Sequence, residues 1–161
     1  MIILLMGVSG AGKTTIGQHL AQALGWPFYD ADQFHPSANV AKMHQGTPLT
    51  DADRWPWLQA LRRHIEACIH QAQSVVLACS ALKQAYRECL MFDDDEVRLV
   101  YLKGTYDLIY ERLAQRRGHF MPSDLLASQF ATLEEPEQGV IVDIRPPPET
   151  VVALIREELG V

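Results

Sequence analysis

Short apolar runs alternate with amphipathic stripes along this chain. Residues 2–6, IILLM, are uninterrupted apolar, the pattern of a strand buried on both faces of a parallel sheet. Segment 14–24 reads as a helix, stopped at Gly25 and followed by Pro27. FYD, residues 28–30, predicts a short second strand, and the irregular stretch after it holds a short helix around 40–44. Thr50 with Asp53 three residues on has capping-box spacing, opening a helix to about residue 72. Its apolar stripe is Leu58, Leu61, Ile65 and Cys68. SVVLAC (74–79) and VRLVYL (97–102) are strands on either side of a helix at 81–90. A helix at 105–115, a loop at 116–122, a helix capped by Ser123 and running to 132, a strand at 140–144 and a helix at 149–159 follow. Strands alternating with helices, with no repeat or linker, predict one α/β domain over 1–161 built on a parallel sheet.

Composition narrows the function. The 161 residues are 48% apolar, enough for a core, and carry a formal charge of −6. That balance argues against a nucleic-acid backbone as main partner, since such surfaces concentrate Lys and Arg. The acidic run FDDDE reads as a solvated turn. Three cysteines, Cys68, Cys79 and Cys89, lie in or beside apolar runs without CxxC spacing, which suits reduced, mostly buried thiols and a cytosolic protein. MIILLMG is too short to span a bilayer and runs into a glycine loop, so it reads as a strand and not as a signal peptide.

That loop, GVSGAGKT (7–14), matches GxxxxGK[ST] between a predicted strand and a predicted helix. Glycines let backbone amides converge on phosphate oxygens, and the helix adds its positive end. Gly7, Ser9, Gly10, Ala11, Gly12, Lys13, Thr14 and Thr15 are therefore nucleotide-binding candidates. Lys13 is placed to reach the β- and γ-phosphates and Thr14 to offer its hydroxyl to magnesium. No NKxD tetrad follows, which favours ATP over GTP, and the length suits a small-molecule kinase better than a motor.

The acceptor side is written elsewhere. DAD (30–32) leaves the second strand at the edge that carries the glycine loop. Asp32 is preferred for acceptor contact and proton acceptance, and Asp30 for the metal side. Arg54 either pairs with Asp51 and Asp53 at a helix start or grips an anionic acceptor. Of Trp55 and Trp57, one can wall a pocket, while Trp57 has core spacing beside Leu58 and Leu61. Ser80 and Lys83 in CSALK emerge at the same edge, and Tyr86 and Arg87 share a helix face with Lys83. In QRRGHFMP, Arg116 or Arg117 can swing over the transferring phosphoryl group, and His119 can touch the acceptor. No ligand spacing supports a structural zinc.

Together these stretches resemble the bacterial gluconate kinase family, in the shikimate kinase-like branch of P-loop kinases. LLMGVSGAGKT, DADQFHP, NVAKMHQGTPLTDADRWPWLQAL, CSALKQAYRECL, YLKG, RRGHFMP and SQFATLEEP carry the resemblance over nearly the whole chain. It implies a three-layer sandwich with a five-stranded parallel sheet, helices on both faces and a mobile lid near 116–123. It also implies magnesium-dependent transfer from ATP to the 6-hydroxyl of D-gluconate in a cytosolic enzyme, often a homodimer. By this resemblance Asp32 is the acceptor-side acid and Arg54 the carboxylate-gripping arginine. Ser80, Lys83 and Arg87 line the acceptor cavity, and Arg117, His119 and Gln129 lie in or beside the lid. The family often has glycine between the two acids; Ala31 stands there, and alanine disfavours positive φ. Shikimate as acceptor, or a nucleotide-gated binding module with little turnover, are the alternatives. CSALK and the missing glycine triplet at that strand end argue against shikimate.

Overall fold

The structure, a computed structural model, describes residues 1–93, 95–116 and 123–161. Five parallel strands, β1 (Ile2–Met6), β2 (Phe28–Asp30), β3 (Val75–Ala78), β4 (Val97–Lys103) and β5 (Val140–Asp143), form one sheet in the order β2-β3-β1-β4-β5. β1 lies centrally and pairs Ile2 with both Val75 and Val97. All five of its residues are fully buried, as an apolar run between two helical layers must be.

The pleat of β1 divides the core. Ile2, Leu4 and Met6 face α3 (Asp51–His70) and α4 (Gln84–Leu90) through Leu58, Leu61, Ile65 and Leu90. Ile3 and Leu5 face α1 (Lys13–Leu24) and α7 (Pro148–Leu159) through Ile16, Leu20, Val151 and Ile155. Ile109 of α5 (Tyr106–Gln115) and Leu126 of α6 (Ser123–Thr132) join the second layer.

Helix starts follow local chemistry. Both halves of the Thr50–Asp53 capping box form, at 3.2 and 2.9 Å. Thr105 caps α5 by accepting from the Leu108 amide at 3.2 Å. The short helix α2 is longer than its apolar pattern suggested, covering Ser37–His44, because Pro36 supplies a pre-set N-terminal turn ahead of it. Cys68 and Cys79 are buried free thiols, and Cys89 is half-buried. No helix among the described residues is long and apolar enough to cross a membrane.

Candidate active site

The switch from β3 to β1 to β4 leaves a crevice beyond the carboxyl ends of the strands, where open parallel sheets bind ligands. A cleft of about 1300 Å³ opens there. Its donor side is the loop from β1 to α1. Gly12 takes φ +94 at the N-cap of α1, and Gly10 takes φ +81 with Leu113 so near that a Cβ would sit 2.8 Å from its Cγ. Both positions therefore need glycine. Lys13 Nζ donates to the Gly7 and Val8 carbonyls at 2.8 and 3.0 Å, bending back over the loop. Burial pushes its pKa down, opposed by Cys79, Asp32 and Asp30.

Ser9, Gly10, Gly12, Lys13, Thr14 and Thr15 all line the cleft. Gly7 and Ala11 do not: the Gly7 amide donates to the Ser80 carbonyl at 3.4 Å, and the Ala11 side chain is buried in the core. Gln129 enters from α6, and its Oε1 accepts from the Ser9 amide at 2.6 Å. It thus touches the glycine loop, whereas the resemblance put it beside the lid.

Facing the loop, Asp30 and Asp32 both line the cleft because the chain turns between them. Asp30 Oδ1 accepts from the Asp32 amide at 2.9 Å and caps a 3-10 turn, Ala31–Phe34. Ala31 has no positive φ, its methyl is buried, and its carbonyl accepts from Trp57 Nε1 at 2.7 Å. Alanine is therefore accommodated without strain. Thr14 Oγ1 lies 3.5 Å from Asp30 Oδ2. A hydroxyl beside a carboxylate is an oxygen donor set that fits magnesium, a hard cation that keeps several waters. The Asp32 side chain is 82% exposed, yet it stands inside the cleft where protein displaces bulk water. That desolvation, with Asp30, raises its pKa against the opposing pull of His35 and Lys13.

The far wall centres on Asp51. Tyr86 donates its hydroxyl to Asp51 Oδ1, Lys83 Nζ reaches both carboxylate oxygens at 3.1 Å, and Arg54 approaches Oδ1 at 3.7 Å. The Tyr86 and Lys83 hydrogen bonds hold the Asp51 carboxyl below its ordinary range. Arg54, Tyr86, Ser80 and Trp57 line the cleft. Trp57 is both core and wall, 4% exposed, while Trp55 lies outside with its ring edge against Tyr86.

Two expected acceptor contacts change meaning. Lys83 is drawn to Asp51 and does not line the cleft. Arg87 is buried, with its guanidinium on the Ala81 and Leu82 carbonyls at 2.9 and 3.1 Å, in a turn where Ala81 takes φ +44. Arg116 ends α5 and lines the cleft. Arg117, His119 and most of the expected lid lie outside the described residues.

Sequence reasoning gave no role in the site to His35 or Asn39. His35 follows Asp32 by three, and in a 3-10 turn such residues eclipse, so the signal was present. Asn39 gave none: its contacts depend on where α3 packs.

Comparison with known proteins bears on the family and the fold. The shikimate kinase family profile matches residues 9–136. A probable gluconokinase of Mus musculus is 48% identical over 84% of this chain and 83% of its own. The unliganded crystal structure of a sugar kinase from Janibacter sp. HTCC2649 superposes with a TM-score of 0.89 at 42% identity, covering 99% of this chain and 94% of that one. A gluconokinase from Sinorhizobium meliloti 1021 gives 0.85 at 40%, covering 98% and 94%.

Proposed function

The chain belongs to the gluconokinase family, within the shikimate kinase-like group of P-loop kinases, and from that premise we propose how its cleft works. ATP gives its γ-phosphoryl group to the 6-hydroxyl of D-gluconate, yielding 6-phospho-D-gluconate and ADP. The observation that carries this reading is the single cleft joining a phosphate loop on one wall to Asp32 and Arg54 on the other.

On the donor wall, Lys13 leaves the Gly7 and Val8 carbonyls and turns its ammonium to the β- and γ-phosphates. The amides of residues 12–15 and the N-terminus of α1 supply further positive potential. Thr14 and Asp30, whose oxygens lie 3.5 Å apart, would hold magnesium. When bound, magnesium supplies charge neutralisation on the phosphate oxygens.

On the acceptor wall, Arg54 takes the gluconate carboxylate, and Ser80 and Trp57 shape the space for the polyol chain. Asp32 accepts a hydrogen bond from the 6-hydroxyl and takes its proton as the oxygen becomes bonded to phosphorus. A primary alcohol attacking a loose phosphoryl transition state needs positioning and charge neutralisation more than a strong base. Gln129, through the Ser9 amide, ties the helix after the lid segment to the donor loop. Arg116 and Arg117 close over the transferring group, with His119 beside the acceptor, in a lid near 116–123. Lys83 and Arg87 act from behind the wall, through Asp51 and the Ala81–Leu82 carbonyls. We further infer a homodimer in the cytosol, as the family resemblance implies.

The test is ATP consumption by the purified protein with gluconate, shikimate, AMP or no acceptor. Stimulation by gluconate alone is the expected result; equal rates with shikimate, or hydrolysis indifferent to acceptor, would sink the assignment.

A further inference from the structure

We propose that His35 is a positioning residue for Asp32: its Nε2–H holds one carboxylate oxygen and leaves the other free for the acceptor hydroxyl. This rests on the reading of Asp32 as the acceptor-side acid.

The ring of His35 is held on one face and at Nδ1 by its neighbours. Its side chain is 4% exposed although the residue lines the cleft. It stacks on Trp57 with centroids 4.3 Å apart and planes 14° off parallel. Trp57 is itself anchored through Nε1–H to the Ala31 carbonyl. These contacts set the plane of the imidazole.

Asn39 sets its protonation pattern. This buried side chain donates from Nδ2 to the Asp53 carbonyl at 2.8 Å. A backbone carbonyl only accepts, so the amide nitrogen and not the oxygen must point this way. The second N–H of the same nitrogen meets His35 Nδ1 at 3.3 Å. Nδ1 therefore accepts, and the proton of the neutral ring sits on Nε2. Nε2 faces Asp32 Oδ1 at 3.9 Å.

That distance is roughly 1 Å beyond a hydrogen bond, and such contacts commonly tighten when substrate binds. The 3-10 turn already places the two residues in line. Among the described residues nothing else near Asp32 offers the same service. Asp30 has committed Oδ1 to the Asp32 amide and is itself an anion, and Lys13 is turned to the donor loop. An exposed carboxylate with free rotation presents its oxygens at random; a single fixed donor presents one of them consistently.

A packing role and a donor role make different predictions. The amide nitrogen of glutamine reaches where Nε2 sits, whereas that of asparagine reaches only to Nδ1. Alanine, asparagine and glutamine at 35 all lose the stack on Trp57. We expect His35→Ala and His35→Asn to lower kcat about tenfold or more at unchanged KM for ATP, with His35→Gln recovering most of the loss. Equal losses in all three variants would reduce His35 to packing and overturn the proposal. Nitrogen-15 shifts of labelled histidine in the wild-type protein read the tautomer without any turnover, and a proton on Nδ1 would overturn it as well. Wild-type protein that consumes no ATP with gluconate would defeat the acceptor assignment, and the tautomer measurement would still decide on His35.

Discussion

The guanidinium of Arg87 commits its Nη1 donors to two carbonyls beneath a loop whose Ala81 is in the left-handed region. A non-glycine residue there costs roughly 1–2 kcal/mol, so the loop holds its shape only while something restrains it. Arg87→Met removes the donors and leaves both carbonyls unsatisfied. Denaturant unfolding should show a loss of about 2–4 kcal/mol. Arg54, by contrast, faces the cleft and is only loosely engaged by Asp51 at 3.7 Å. Arg54→Ala should raise KM for gluconate at least about tenfold and leave ATP affinity nearly unchanged, as titration of each ligand would show. Equal loss of both affinities would make Arg54 a helix-start residue. Among the described residues Lys13 makes no side-chain hydrogen bond beyond its own loop. Lys13→Ala should therefore lose on the order of a hundredfold or more in turnover while keeping its circular dichroism spectrum.

At the scale of elements, the start of α3 is a pH-sensitive joint. Hydrogen bonds from the Thr50 amide, then from Lys42, depress the Asp53 pKa from 3.8 to about 2. A carboxylate whose folded pKa lies below its unfolded value stabilises the fold fully above the unfolded value. That contribution falls away as pH drops from about 4 to about 2. Asp53→Asn should flatten this part of a stability–pH curve measured by thermal melts. The capping box was legible from Thr50 and Asp53 because its chemistry is local. The strands were legible for the same reason, since an apolar run bounded by turn residues has few other meanings. Lys83 and Arg87 were not. Spacing put both on one helix face with Tyr86, but three or four residues of arc separate a side chain that reaches Asp51 from one that turns under the loop. That Tyr86 meets the cleft while Lys83 is drawn away to Asp51 is decided by α3, more than 30 residues away in sequence, and no local pattern records that.

At the scale of the molecule, donor and acceptor walls come from separate elements that meet only at the carboxyl edge of the sheet. A ligand spanning them should hold the walls together. A non-hydrolysable ATP analogue at a hundred times its Kd should stabilise the protein by about 2.7 kcal/mol, seen as a melting temperature raised by roughly 5–10 °C. A shift absent with the analogue and magnesium would contradict the donor site. The sheet order has another consequence, one that concerns the making of the chain. β1 is wholly apolar and finds its partners in Val75 and Val97, far downstream of Ile2. At synthesis rates of about 5–20 residues per second, Ile2 waits on the order of 5–20 s for the ribosome to deliver its second neighbour. For that interval a sticky, edge-ready segment stands open, and a nascent chain of this topology has most need of chaperone cover before residue 97 has emerged.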